Sequence, residues 1–236
     1  ALRIASGLAQ SGLVSALVTA PVCKEALHLA GEQVEGQTEL LARWDGADRY
    51  EMLATAGLMR VMLLSRHLPL RDALDQITTA NVLDHLHLLT ESLNGLGFDS
   101  PKLALAGLNP HAGENGVIGS EEQSILQPAV LAARAAGLSV SDPQPPDTIF
   151  IRAARGEFDA VLALYHDQAF IPLKLAGASP DVEPLTTIAG LSYVRVSPAH
   201  GTAFDIAGKH RADPQNLIAA ILQAVQWSRT SAANEV

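Results

Sequence analysis

The sequence predicts an α/β protein, a mostly parallel sheet layered with helices. Three observations carry this. Short runs of β-branched or leucine residues alternate with helical periods and are joined by turns carrying Gly, Pro or His, as in strand–helix–strand units. Alanine and leucine abound, while aromatic residues make up 4% and charged residues 17%, which suits helices on a buried sheet better than a β-sandwich. With 236 residues, 48% of them hydrophobic, the chain can bury the core of one large α/β unit or of two lobes.

The elements follow in order. The start, Ala1 to Leu8, reads as the middle of an amphipathic helix, which suggests a segment upstream of it. Leu13 to Thr19 is a strand closing at Ala20-Pro21, and Lys24 to Ala30 a helix stopped by Gly31. Arg60 to Ser65 is a strand leading to His67. Val82, Leu83, Leu86, Leu89 and Leu93 recur at helical spacing before Asn94-Gly95. His85 and His87 lie on that helix two apart, on different faces, and are set aside as ligands.

Leu103 to Leu108 is a strand, followed by a loop with Gly113, Gly116 and Gly119. Glycines ahead of a helix can cradle an anion, but this spacing is neither a Walker loop nor a dinucleotide fingerprint, so an ordinary loop is an equal reading. Ser120-Glu121-Glu122-Gln123 reads as a capping box, with Pro128 marking a kink or a fresh helical start. The proline-dense stretch Ser141 to Asp147 reads as a loop at a lobe boundary, and Ala160 to Tyr165 as a strand leading to His166. In the last helix Asp213 is the N-cap, Pro214 the first residue, and Leu217, Ile218, Ile221, Leu222 and Val225 the buried face; beyond Trp227 the tail is expected to fray.

Charge and cysteine content narrow the function. A net charge of −9 without a basic cluster argues against nucleic acid. No apolar stretch approaches the ~20 residues that span a bilayer, so a soluble protein without a membrane partner is expected. The single cysteine, Cys23, rules out an internal disulfide framework and a thiolate metal cage, and it has no evident base beside it. A reducing cytoplasm is the expected compartment.

The chemistry sits on histidines. His67, His111 and His166 each follow a separate apolar run. In an open parallel sheet, ligands bind beyond the carboxyl ends of the strands, so the three imidazoles would gather at one rim. Three neutral imidazoles with an open fourth position make a catalytic metal site, with Zn²⁺ favoured and Mg²⁺ or Co²⁺ possible alternatives. Asp167 or Glu114 could hold the second nitrogen of a ligand ring.

Gly107-Leu108-Asn109-Pro110-His111-Ala112-Gly113-Glu114, Tyr165-His166-Asp167-Gln168 with Lys174, and His200-Gly201-Thr202-Ala203-Phe204-Asp205-Ile206-Ala207-Gly208 resemble, in order and spacing, the 4-hydroxythreonine-4-phosphate dehydrogenases. The resemblance runs from about Leu13 to the end. It implies a two-lobed isocitrate/isopropylmalate-dehydrogenase-like fold and a homodimer with shared active sites. His67 and His111 would ligate the metal from one subunit and His166 from the other. Lys174, Arg195 and Thr38 match residues that contact the anionic substrate, and Lys174 and Asp167 are the candidate catalytic residues. The His200 loop resembles the adenosine-binding loop of isopropylmalate dehydrogenases, making His200, Gly201, Thr202, Ala203 and Asp205 cofactor candidates. A carboxylate at Asp205 favours free ribose hydroxyls, hence NAD over NADP.

The chain departs from the family pattern at Gln37, where a histidine is expected, and at Thr186, where an asparagine is expected; both bear on substrate recognition. It also lacks the family's N-terminal region. The expected reaction is metal-assisted, NAD-dependent oxidation of 4-phosphooxy-threonine, with decarboxylation of the β-keto acid. The alternatives are a relative acting on a phosphorylated threonate or a cyclic dihydrodiol carboxylate, or a metal-binding module without turnover.

Overall fold

The computed structural model describes residues 1–34, 36–179 and 181–233. The chain forms two compact units, one of Ala1–Met52 with Glu183–Val236 and one of Leu53–Val182.

In the first unit, strand β1 (Ala16–Val18) runs parallel to β8 (Val194–Pro198), which pairs antiparallel with β7 (Leu185–Ala189). Helices α1 (Leu2–Gln10) and α3 (Gln37–Asp45) pack together, and Ala9, Leu17, Leu41, Ile188 and Tyr193 form a buried cluster with Trp44 and Tyr50 at its margin. The short α2 (Lys24–Leu29) ends where Gly31 takes a φ of 89°, as its sequence predicts. The predicted strand Leu13 to Thr19 is shorter at its start, because the turn closing α1 consumes Leu13 and Val14 through bonds to the Leu8 carbonyl.

The last helix, α9 (Gln215–Ala233), is capped as expected, with the Gln215 N–H donating to Asp213 Oδ1. Its buried face differs from the prediction. Ala220, Ala224 and Trp227 are buried, whereas Leu217, Ile218, Ile221, Leu222 and Val225 are 38–65% exposed. Two small residues four apart let the helix backbone approach β8 and β1 closely, and that choice is invisible to hydrophobic periodicity, which sees the larger stripe first. The helix also continues past Trp227 to Ala233 instead of fraying there.

The second unit has strand order β2-β3-β6-β4-β5, with β2 (Glu51–Ala56), β3 (Met59–Leu63), β4 (Lys102–Leu105), β5 (Ser139–Val140) and β6 (Ala160–Ala163). β2 and β3 form an antiparallel hairpin turning at Gly57, whose φ is 59°, a conformation that favours glycine. The pairs β3·β6, β6·β4 and β4·β5 are parallel. Between these strands run α4 (Leu70–Asp75), α5 (Thr79–Gly95), α6 (Gln127–Ala135) and α7 (Ile149–Ala154), and α8 (His166–Ala176) follows β6. Val82, Leu86, Leu89 and Leu93 of α5 are fully buried, and every residue of β6 is buried.

Two further expectations change here. The proline-dense stretch lies inside this unit, where Gln144 bridges Ala106, and not at a crossing between units. The capping box does not form: Ser120 gives its carbonyl to the N–H groups of Gln123 and Ser124, while Glu122 turns inward. A π-turn over Glu122–Leu126 runs without a break into α6, so Pro128 falls within one continuous helix, just after the π-turn, and does not open a new one. No helix among the described residues is long and apolar enough to cross a membrane.

Candidate active site

The three predicted histidines follow β3, β4 and β6, which are hydrogen-bonded parallel neighbours in the order β3-β6-β4. Their carboxyl ends therefore share one edge of the second unit. His67 lies between β3 and α4, His111 in the loop after β4, and His166 opens α8 with Tyr165 as N-cap.

His67 and His166 come together: their ring centroids are 5.7 Å apart, and both line a cleft of about 260 Å³ with Arg66, Leu68, Leu70, Ala73, Tyr165 and Asp167. Asp167 Oδ1 lies 2.7 Å from His166 Nδ1. When Nδ1–H donates to this carboxylate, Nε2 keeps its lone pair for a metal or a proton. Phe170 stacks on His166 at 4.7 Å, and the exposed Lys174 ammonium sits 5.8 Å from the Phe170 ring, so His166, Phe170 and Lys174 mark one face of α8.

His111 sits in an unusual backbone. From His111 to Asn115 five successive residues have φ between 42° and 76°, and only Gly113 among them lacks a side chain. Left-handed backbone costs about 1–2 kcal/mol for an ordinary residue, so the surrounding structure must hold the segment in place. Glu114 Oε2 is 3.7 Å from His111 Nδ1, a loose contact between exposed groups. Among the described residues no group of three His, Cys, Asp or Glu converges within one chain. The imidazole pair has donor chemistry that a zinc or cobalt ion accepts, and His111 is not grouped with it within one copy.

The first unit holds the remaining candidates. Arg195 lies in β8, 4% exposed, and burial pulls its pKa down to about 10, leaving it a cation at neutral pH. Its guanidinium donates to Thr19 Oγ1 at 2.7 and 3.1 Å and to Gln37 Oε1 at 3.2 Å, and among the described residues no carboxylate lies against it. The Gln37 amide donates to the Ala20 carbonyl at 2.9 Å, which fixes its oxygen toward Arg195. Thr38 is buried beside Gln37, and Thr186 is spent on the Ser197 hydroxyl at 2.9 Å.

The His200 loop borders a cleft of about 850 Å³ with Ala20, Pro21, Gly201, Thr202, Ala203, Phe204, Arg211 and Asn216. Asp205 is exposed in the short 3₁₀ turn Phe204–Ile206 and is not part of the lining. Sequence reasoning missed Arg66 and Tyr165 as walls of the histidine cleft, Thr19 as the partner of Arg195, and Glu122. Tyr165 and Arg66 were findable as direct neighbours of His166 and His67. Glu122 was hidden among the polar residues that open a helix, where a charged side chain is expected to face solvent.

The family model for the pyridoxal phosphate biosynthetic protein PdxA matches residues 1–224. The D-threonate 4-phosphate dehydrogenase of Salmonella typhimurium is 45% identical over 225 residues, covering 95% of this chain and 68% of that protein. The 4-hydroxythreonine-4-phosphate dehydrogenase of Desulforapulum autotrophicum is 43% identical over 230 residues, covering 97% and 67%. Among solved structures, a 4-hydroxythreonine-4-phosphate dehydrogenase from Klebsiella pneumoniae superposes with a TM-score of 0.86 at 41% identity, covering 96% of this chain and 69% of that one. A match of this extent, over nearly the whole chain, means that the chain belongs to the PdxA family of dehydrogenases.

Proposed function

We propose that this chain is a metal-assisted, NAD-dependent dehydrogenase that oxidises the secondary alcohol of 4-phosphooxy-threonine to a β-keto acid, which then loses carbon dioxide. Arg195 carries this reading furthest. A guanidinium buried to this extent, with a hydroxyl and an amide carbonyl as its partners among the described residues, has an unfilled need for an anion, and a phosphate or carboxylate of the substrate would meet it. Lys174 supplies a second, exposed cation to the charged groups of the substrate.

When bound, a divalent cation supplies Lewis-acid polarisation of the substrate's oxygens and NAD supplies the hydride acceptor. His67, His111 and His166 are the residues that would hold the cation, from two copies of the chain in a homodimer, since one copy does not assemble the set. Asp167 keeps the His166 ring in the tautomer that leaves Nε2 unprotonated, and Tyr165 and Leu68 wall the cleft. His200, Gly201, Thr202 and Ala203 line the cleft proposed for NAD, and Asp205, at the adjoining turn, would disfavour a 2′-phosphate. The lone Cys23 suits a cytoplasmic protein.

A second reading, D-threonate 4-phosphate as substrate, is favoured by Gln37, whose fixed amide stands where the family pattern has histidine. The deciding experiment follows NAD reduction with both phosphorylated acids and their unphosphorylated counterparts, with zinc, magnesium or cobalt added. Faster turnover of either phosphorylated acid supports the role of Arg195 and decides between the two readings. Turnover of unphosphorylated acids alone, or of none, overturns the proposal.

A further inference from the structure

We propose that Glu122 and Gln168 are positioning residues that set where the His111 and His166 imidazoles stand. The inference deepens the proposed function, because it rests on reading those histidines as metal ligands. Glu122 is 5% exposed, and its carboxylate has no cationic partner among the described residues. Oε1 accepts from the Leu108 N–H at 2.8 Å and the Asn109 N–H at 2.7 Å, and Oε2 accepts from Asn109 Nδ2 at 2.9 Å. Such charge-assisted bonds to backbone donors fix a turn more firmly than neutral ones.

The same carboxylate backs the loop on the far side of His111. A Cβ on Gly113, at φ +76°, would lie 2.6 Å from Glu122 Oε2. The left-handed run from His111 to Asn115 is thus entered through two residues that Glu122 holds, and it passes over Glu122 at its middle glycine. This is the local over-determination that a strained segment requires.

Gln168, 7% exposed, completes the arrangement from α8. Its Oε1 accepts from the Leu164 N–H at 2.7 Å, and its Nε2 donates to the Gly107 carbonyl at 2.8 Å. One side chain therefore ties the end of β6, two residues before His166, to the residue preceding the pair that Glu122 holds. Neither residue reaches the cleft that His67 and His166 line. Their action on a ligand would be indirect, the kind of outer contact whose loss typically weakens metal binding about 10- to 100-fold.

Titration calorimetry with zinc alone, on E122Q, H111A and the double variant, tests this, alongside melting of the metal-free proteins. E122Q should weaken zinc binding about 10-fold or more. In the H111A background it should add nothing, since Glu122 acts through His111. The parallel set is Q168A with H166A, and it decides the question if E122Q does not fold. Effects that add fully in both backgrounds, or wild-type zinc affinity in a folded E122Q or Q168A, overturn the positioning role. If H111A and H166A themselves bind zinc normally, it is the ligand reading that fails, a distinct result from additivity.

Discussion

The loop carrying His111 and the loop carrying His200 are both glycine-rich and both visit left-handed backbone, but they are built differently. In the first, a Cβ on Gly113 would collide with Glu122 and one on Gly107 would be tight against Ala112, and a buried carboxylate holds the entry. In the second, among the described residues Gly201 and Gly208 have nothing within 4 Å of a Cβ, and the His200 ring lies against the carbonyl of its own neighbour, Gly201, at 2.8 Å. One loop brings its shape with it; the other leaves its shape to whatever fills the cleft beside it. That division suits the proposed roles of the two loops, one to hold an imidazole to a fraction of an ångström and the other to take a cofactor that would bind and leave at each turnover.

The comparison can be broken most directly at His111. H111A should lower turnover roughly 100- to 1,000-fold, the scale of the several kcal/mol that Lewis-acid activation supplies, and steady-state kinetics with saturating zinc would show it. A variant retaining wild-type turnover would remove His111 from the chemistry and leave its strained loop without a purpose. Next in size, Arg195→Met should raise KM for the phosphorylated substrate about 10- to 100-fold, with no matching loss of stability, because it removes a buried cation that lacks a carboxylate. Collapse of the melting temperature instead would make Arg195 a structural residue.

Gly113→Ala and Gly208→Ala sharpen the contrast itself, since both glycines have φ near +75°. The first should destabilise by about 2–4 kcal/mol, adding overlap with Glu122 to backbone strain, and the second by only about 1 kcal/mol. Equal melting shifts would mean that the clamp contributes nothing. Smallest of all, Asp205→Ala should narrow the preference for NAD over NADP by roughly tenfold, a change of about 1.4 kcal/mol, measured as the ratio of kcat/KM with the two cofactors. An unchanged ratio would place cofactor selection elsewhere in the loop.

Much of the second unit was legible in advance. Arg60 to Ser65, Leu103 to Leu108 and Ala160 to Tyr165 are apolar runs flanked by turn residues, and each overlaps a strand that starts within one residue of it and ends two or three residues sooner, where the chain turns toward its histidine. The β2 strand escaped notice because Glu51 to Ala56 mixes a charge, a methionine and small residues, and its partner in the hairpin supplies the pattern it lacks. In α9 the apolar stripe was read correctly as a stripe and assigned to the wrong side, since alanines at Ala220 and Ala224 say nothing by hydrophobicity and much by size. Arg195 was legible as a candidate only through resemblance; its burial and its neutral partners emerge from β8 lying beside β1.

The sequence by itself determined the alternation of strands and helices, the placement of three histidines after strands, and the family to which those motifs belong. These are local properties, written in periodicity, turn residues and short ordered motifs, and they need no knowledge of what lies opposite. The tertiary structure alone decided that His67 and His166 share a cleft, that Glu122 turns inward to hold the turn before His111, and that Arg195 is buried with no carboxylate against it among the described residues. Each of these depends on a pairing between residues distant in the chain. Such pairings are set by strand order and close packing, which no single stretch of sequence encodes.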